Sequence, residues 1–174
     1  MGGMSIRHAH LDDAETIATL GARLFQAAFG ANNDPDDMRK YLESSFALDK
    51  VRAELDMPGS VFLLVEEDEG VFGYARVAPN PSPDCVDGER PVELVRIYID
   101  ASKAGQGHGA ALMSRCVSIA KGGGYDALWL GVWGANANAV AFYQRWGFSV
   151  VGERPFLLGG DDQSDFIMAR AVHP

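Results

Sequence analysis

The chain has 174 residues and a mass of 18.7 kDa, the size of one domain, and can bury a core without disulfides or a structural metal. Its 47% hydrophobic and 22% charged residues are ordinary for a globular protein and exclude wholesale disorder. The formal net charge of −9 argues against a nucleic-acid partner, because an acidic surface repels phosphodiester backbones.

The sequence also argues against several kinds of site and location. Cys85 and Cys116 make neither a disulfide framework nor a zinc site, and the histidines near the chain ends suggest no metal. No apolar run approaches the ~18 residues of a membrane span. The start at Met1 to Met4 lacks the apolar segment of a signal peptide. We therefore expect a soluble, cytoplasmic, metal-free protein without a membrane partner.

Helical spacing and a hairpin pattern mark the first half of the chain. Ile17, Leu20 and Leu24 recur at helical spacing after the first-turn acids Asp12 and Asp13. Two apolar, β-branched runs flank an acidic turn, which predicts a β-hairpin. The predicted elements are a strand over 5–9, helices over about 12–29, 35–46 and 48–56, and strands over 61–66 and 71–78.

Strands and helices alternate in the second half. The stretch 79–91 holds four prolines and is a loop too short to be a domain linker, so we expect a single domain over 1–174. The predicted elements are a strand over 92–99, a helix over about 107–121, a strand over 127–133, a helix over 136–146, and strands near 148–155 and 165–171. This order predicts an α/β fold with a mixed sheet covered by helices.

A glycine-rich loop precedes the helix that starts near residue 107. Glycines leave backbone N–H groups unobstructed, and a helix N-terminus carries a partial positive charge, so Gly105–Ala110 is a candidate phosphate cradle. The alternative is a flexible loop with a glycine-assisted helix start. The loop also matches a dinucleotide fingerprint. However, residues 100–104 separate it from the strand, and Asp126 stands before the next strand rather than at its end.

Three ordered segments together resemble the GNAT acyltransferase superfamily. They are the strand Val95–Ile99, the loop Ala104–Gly109 followed by Leu112, and the helix Asn136–Phe148. The resemblance implies a single-domain, mixed but mostly antiparallel central sheet flanked by helices, with acetyl-CoA as co-substrate. Ala104 stands at a position where the family usually has Arg or Gln. Since backbone makes most of that contact, we expect only a modest weakening of phosphate binding.

Further segments are similar to the PaiA-type spermidine/spermine N-acetyltransferases. They are 37–42, 72–74, 129–133 and 157–168, so that this likeness covers about residues 5–170. The resemblance implies acetyl transfer to a primary amine, with a polyamine as the small-molecule acceptor, by direct attack in a ternary complex. Acceptor preference shifts easily on one scaffold. The alternatives are a protein or peptide N-terminal acetyltransferase and a non-catalytic CoA-binding sensor module; a homodimer is left open.

The resemblance also implies where acetyl-CoA binds. Backbone around Ile97, Tyr98 and Ile99 would pair with the pantetheine arm, and an N–H there would polarise the thioester carbonyl. Asn136 would cap the last helix and contact the pantetheine. The side chain of His108 is expected to face solvent or CoA at the helix start, without a catalytic role. The pyrophosphate loop comprises Ala104, Gly105, Gln106, Gly107, His108, Gly109 and Ala110.

Two side chains are the catalytic candidates. Strand alternation puts Glu93 on one face with Val95, Ile97 and Ile99, opposite Leu94, Arg96 and Tyr98. Glu93 is the candidate base by analogy with family carboxylates on this strand; the alternative is a surface carboxylate. Tyr143 is the candidate general acid toward the CoA thiolate, and its alternative is a core aromatic residue.

Acceptor recognition is expected from the first helix and the segment after it. Phe25, Phe29, Tyr41 and Trp133 could line an apolar slot for methylene groups. Asp34, Asp36 and Asp37 are candidates for binding distal ammonium groups, although a solvated acidic helix start is the preferred interpretation of these three.

Overall fold

Seven strands and five α-helices make up the part of the chain that the computed structural model describes, residues 3–173. Met1 and Gly2, where the absence of a signal peptide is predicted, and Pro174 lie outside the described residues. The strands are β1 (Ser5–His8), β2 (Val61–Glu67), β3 (Gly70–Ala78), β4 (Pro91–Ile99), β5 (Ala127–Trp133), β6 (Ser149–Leu158) and β7 (Asp161–Ala171). The helices are α1 (Ala14–Phe29), α2 (Pro35–Ser45), α3 (Leu48–Asp56), α4 (His108–Gly122) and α5 (Ala137–Arg145).

All seven strands form one sheet, in the order β1-β2-β3-β4-β5-β7-β6. Every neighbouring pair is antiparallel except β4 and β5, which are parallel. The predicted α/β fold, with a mixed, mostly antiparallel central sheet flanked by helices in one domain, is therefore confirmed. None of the helices within residues 3–173 is long and apolar enough to cross a membrane.

The helices cover both faces of the sheet. The apolar side of α4, including Leu112, Met113 and Cys116, packs with inward residues of β2 to β5, and α5 adds Phe142 and Tyr143 at the margin. The other face carries α1 and α3, whose core residues pack with Phe62, Leu64 and Tyr74. A further cluster joins α1 and α2 to β6. The amphipathic spacing of each helix thus decides which of its sides meets the sheet.

The final hairpin is longer than the sequence predicts. The predicted strands near 148–155 and 165–171 instead run to Leu158 and begin at Asp161, because the polar residues 161–164 pair with 155–158. Backbone pairing needs no apolar side chains, so hydropathy does not reveal it. Gly159 turns the chain with φ +62°, and a Cβ there would lie 2.5 Å from the Asp37 backbone. Only glycine fits this close approach to α2.

A β-bulge in β4 corrects the predicted alternation of that strand. Arg76 of β3 pairs with Arg96 and Val77 pairs with Leu94, so Val95 is the extra, unpaired residue. Leu94 and Ile97 therefore both face the α4 core. The prediction that Glu93 shares a face with Ile97 is wrong. The extra residue reverses the parity, and Glu93 lies on the face of Arg96 and Tyr98.

Candidate active site

The centre of the sheet opens where β4 leaves β5. Their register comprises only Pro91 to Glu93 against Ala127 to Trp129, although β5 goes on pairing with β7 as far as Trp133. The edge of β4 facing β5 therefore has no strand partner beyond Glu93. A cavity of about 340 Å³ lies at this opening, with walls from α1, α2, β4, β5, α5 and the β6–β7 hairpin.

The residues predicted to hold the pantetheine arm lie on this open edge. Ile97 and Ile99 send their side chains into the α4 core, whereas Tyr98 packs toward Tyr74 on the other face, with ring centroids 6.0 Å apart. Burial raises the pKa of Tyr98 well above its usual value. The side chains anchor the strand, which leaves the backbone N–H and C=O groups of its β5-facing edge for a ligand.

The glycine-rich loop leaves open space at the start of α4. Gly105 and Gly107 have φ of +76° and +82°, and a Cβ added at either would meet no atom within 4 Å. The whole stretch from Ala104 to Gly107 is exposed. A Cβ at Gly109 would lie 3.9 Å from Phe142, so the loop lies beside α5. The loop therefore presents its backbone, with two left-handed glycines, at the N-terminus of a 15-residue helix. This arrangement is suited to binding a pyrophosphate.

His108 departs from its predicted orientation. Its side chain is only 8% exposed, and its ring packs edge-on against Phe72 at 4.9 Å between centroids. Nε2 lies 3.3 Å from Oε1 of Gln106, and Nδ1 has no hydrogen-bond partner among residues 3–173. Of the expectation that the imidazole faces solvent or CoA, the solvent part is therefore wrong, because Phe72 of β3 packs against the ring under the loop. Only its backbone remains a candidate for the cradle.

Asn136, the N-cap of α5, and Tyr143, within α5, both line the cavity. Oδ1 of Asn136 accepts a hydrogen bond from the Ala139 N–H at 3.2 Å, which confirms the predicted cap. The Tyr143 ring packs against Phe142 and Phe148, with centroids 5.5 and 5.9 Å away, yet the residue also lines the cavity. Burial raises the pKa of Tyr143 to about 12, so its hydroxyl stays a proton donor at neutral pH.

Glu93 lies at the base of the opening. The residue is 6% exposed, Nδ2 of Asn80 donates to its Oε1 at 2.8 Å, and Nη2 of Arg154 lies 3.8 Å from its Oε2. The interpretation of Glu93 as a surface carboxylate is therefore wrong. A buried carboxylate beside the open edge of β4 is placed to accept a proton from a group bound in the cavity.

The four predicted acceptor-binding residues come together on one side of the cavity. Phe25 stacks on Tyr41 at 4.6 Å between centroids and lies 4.7 Å from Phe29, which meets Trp133 edge-on at 6.3 Å. All four line the cavity. Burial raises the pKa of Tyr41, so this wall stays uncharged. Their role in binding an acceptor remains a prediction.

The three aspartates of α2 have structural roles or are exposed. Oδ1 of Asp34 accepts from the N–H groups of Asp36 and Asp37, which caps α2. Oδ1 of Asp37 accepts from the Gly160 N–H at 2.9 Å and ties the β6–β7 turn to the helix. None of the three lines the cavity. The preferred interpretation of an acidic helix start therefore stands.

The sequence analysis missed the contribution of the β6–β7 hairpin. Arg154, Phe156, Gln163 and Asp165 all line the cavity, and Asp165 is only 8% exposed. Burial raises the pKa of Asp165, while the charge of Arg154 lowers it. The sequence did contain one indication of this. Side chains alternate between the two faces of a strand, so Asp165 lies on the same face as the buried Ile167 two residues later.

Comparisons with known proteins agree with this geometry. Residues 22–148 match the model of the Acetyltransferase (GNAT) family. The chain is 31% identical over 172 residues, 99% of both chains, to an uncharacterised N-acetyltransferase in the pepI 3′ region of Lactobacillus delbrueckii subsp. lactis.

Two solved structures show the same fold. PaiA N-acetyltransferase of Thermoplasma acidophilum, in complex with coenzyme A, matches with a TM-score of 0.77 and 20% identity over 97% of this chain and 99% of that one. YncA of Salmonella typhimurium, with acetyl-CoA, matches with a TM-score of 0.70 and 24% identity over 99% and 95%. With the family match spanning more than half of the sequence, the chain belongs to the GNAT acetyltransferase family and is an acetyl-CoA-dependent N-acetyltransferase.

Proposed function

We propose that this enzyme acetylates a primary amine of a polyamine such as spermidine or spermine, by direct attack on acetyl-CoA in a ternary complex. The observation that carries the proposal is a cavity with aromatic walls and buried carboxylates beside the open edge of β4. Phe25, Phe29, Tyr41 and Trp133 offer apolar surface to methylene groups. Carboxylates on the cavity floor offer charge to ammonium groups.

The residues of the cavity match the proton transfers that this reaction needs. An alkyl ammonium has a pKa near that of lysine, so only about one molecule in a thousand is neutral at pH 7. Glu93 takes the proton of the amine, directly or through water. The neutral amine nitrogen then bonds to the acetyl carbon as the carbon–sulfur bond breaks. The nitrogen loses its second proton to water as the amide forms, and water later restores the proton of Tyr143. Tyr143 donates its hydroxyl proton to the departing thiolate, and an N–H of β4 near Ile97 stabilises the carbonyl oxygen.

Two alternatives from the sequence remain to be compared with this proposal. The first alternative, a non-catalytic CoA-binding sensor module, is inconsistent with the chain's membership of a family of N-acetyltransferases. A peptide N-terminal amine would use the same reacting groups, but its backbone would be held by hydrogen bonds rather than by charge. The two acceptors therefore differ in how their binding responds to salt.

The test is kcat/KM for spermidine, for an alkyl monoamine of similar length, and for a peptide with a free N-terminus, each at two salt concentrations. We expect spermidine to be preferred at low salt, and the preference to shrink as the Debye length falls from ~10 Å at 0.1 M to ~3 Å at 1 M. If the peptide is the better substrate at both concentrations, the polyamine proposal is wrong and the peptide alternative replaces it. A monoamine equal to spermidine at low salt would also contradict the proposal.

A further inference from the structure

One buried carboxylate of the cavity, Asp165, takes no part in the proton transfers described so far. Asp165 lies on β7, where its register partners are Trp133 of β5 and Arg154 of β6. It shares its sheet face with Glu93 and lines the same cavity, although the residue is only 8% exposed. Asp165 is therefore held by a strand that is paired on both sides, and not by a loop.

Asp165 differs from the other charged residues of the cavity in having no partner. Nη1 and Nη2 of Arg96 donate to the two carboxylate oxygens of Glu54 at 3.0 and 3.2 Å. Glu93 accepts from Asn80 and has Arg154 nearby. Within residues 3–173, no hydrogen bond reaches the Asp165 carboxylate, and no Lys, Arg or His nitrogen lies within 4.0 Å of it.

Arg154, on the neighbouring strand, lowers the pKa of Asp165 through its charge but makes no ion pair with it. Its guanidinium lies over the Trp129 ring, 5.4 Å from the centroid, and crosses Gly131, where a Cβ would lie 2.6 Å from its Nη2. The side chain therefore extends toward Glu93, and it forms its ion pair with that carboxylate. Gly131 provides the space for this path, because any larger residue would displace the guanidinium.

An unpartnered carboxylate in this position opposes folding. Burial penalises the ionised form, which is why the pKa of Asp165 is raised. A purely structural role would favour an amide or an apolar residue here. Perturbed ionisable groups that line clefts are instead frequent at functional sites. The charge of Arg154 offsets this burial penalty only in part, and a cationic ligand can supply the rest of the counter-charge.

We propose that Asp165 binds the second ammonium group of the acceptor and so selects di- and polyamines over monoamines. This inference rests on the proposed polyamine function and names the residue that sets its specificity. Only β5 separates β4 from β7, and the partners of Glu93 and Asp165 on β5 are Trp129 and Trp133. The backbones at the two carboxylates are therefore offset by roughly 10 Å across the strands and about 13 Å along them, and both residues line the cavity between. An extended chain of methylene groups along the wall of Phe25 and Tyr41 joins the two amines.

The test is the substitution Asp165→Asn, which keeps the shape of the side chain and removes its charge. We expect kcat/KM for spermidine to fall by about tenfold to hundredfold, mainly through KM, because a charged hydrogen bond is lost. For the monoamine of similar length, kcat/KM should change by less than about threefold. Asp162→Asn is the matched control, since Asp162 is exposed on the opposite face of the same strand.

Measuring the Tm of Asp165→Asn shows whether a loss of activity comes from a less stable fold. The raised pKa of folded Asp165 means that the group stabilises the fold below its unfolded pKa and opposes folding once pH rises through the folded pKa. At neutral pH, Asp165→Asn should therefore have a Tm equal to or above that of the parent protein. Spermidine added with CoA should raise the Tm of the parent protein but not of the variant.

Three results would overturn the inference. If Asp165→Asn lowers kcat equally for the monoamine and spermidine, Asp165 acts as a proton acceptor instead. If the variant keeps the preference for spermidine, the second ammonium binds elsewhere, and the polyamine proposal survives alone. If the parent protein shows no such preference, both proposals fall together.

Discussion

The hydroxyl of Tyr143 offers the sharpest test of the catalytic assignment. Tyr143→Phe removes one oxygen and keeps the ring between Phe142 and Phe148. Within residues 3–173, that hydroxyl makes no hydrogen bond, so the substitution leaves no protein partner unpaired. We therefore expect the free energy of unfolding to change by less than ~0.5 kcal/mol. Any large loss of activity would then report the reaction and not the fold.

The expected loss follows from the role of the hydroxyl as a general acid. Such a group typically contributes ~10²–10⁴ in rate, which corresponds to roughly 3–5 kcal/mol of the activation free energy. The assay is steady-state release of CoA thiol with saturating spermidine and acetyl-CoA. Tyr125→Phe is the control, since Tyr125 does not line the cavity. A decrease in kcat of less than about threefold would mean that Tyr143 is only a core aromatic.

The remaining predictions concern the glycine-rich loop and the buried ion cluster of Glu54, Arg76 and Arg96. Gly107→Ala should weaken CoA binding by about tenfold or more in calorimetry, because the added Cβ enters the open space where the pyrophosphate would lie. Gly70→Ala is its control, since Gly70 also has a positive φ and open space; equal CoA affinity in both variants would refute the cradle. Glu54→Gln should lower the free energy of unfolding by about 3–5 kcal/mol in urea titrations, because Glu54 accepts from both Arg76 and Arg96. A loss below about 1 kcal/mol would show that the two arginines find other partners.

Local sequence signals were sufficient for the helices, for the order of the strands and for one half of the site, but not for the full length of the β6–β7 hairpin. Left-handed glycines before α4 and the cap of α5 are both encoded by short spacings, since each depends on backbone conformation within a few residues. The aromatic residues of α1 and α2 follow from helical periodicity. For the same reason, the predicted helix bounds differ from the observed ones by at most two residues.

The other half of the site depends on contacts between distant strands. The bulge at Val95 is set by the register between β3 and β4. It turns Glu93 toward the cavity and Ile97 toward α4. No local pattern in 92–99 shows where the extra residue falls. The burial of the His108 ring likewise depends on Phe72 of β3, which is distant from it in the sequence.

By itself, the sequence determined the family, the order of strands and helices, the glycine-rich loop before α4 and the aromatic wall, because each of these depends on short-range spacing. Tertiary structure alone decided that β4 and β5 separate beyond Glu93, and that Asp165 faces the cavity without a partner. The physical reason is that strand register and burial are properties of paired segments. A carboxylate in a polar stretch becomes a buried group without an ion pair only when its neighbours on β5 and β6 enclose it.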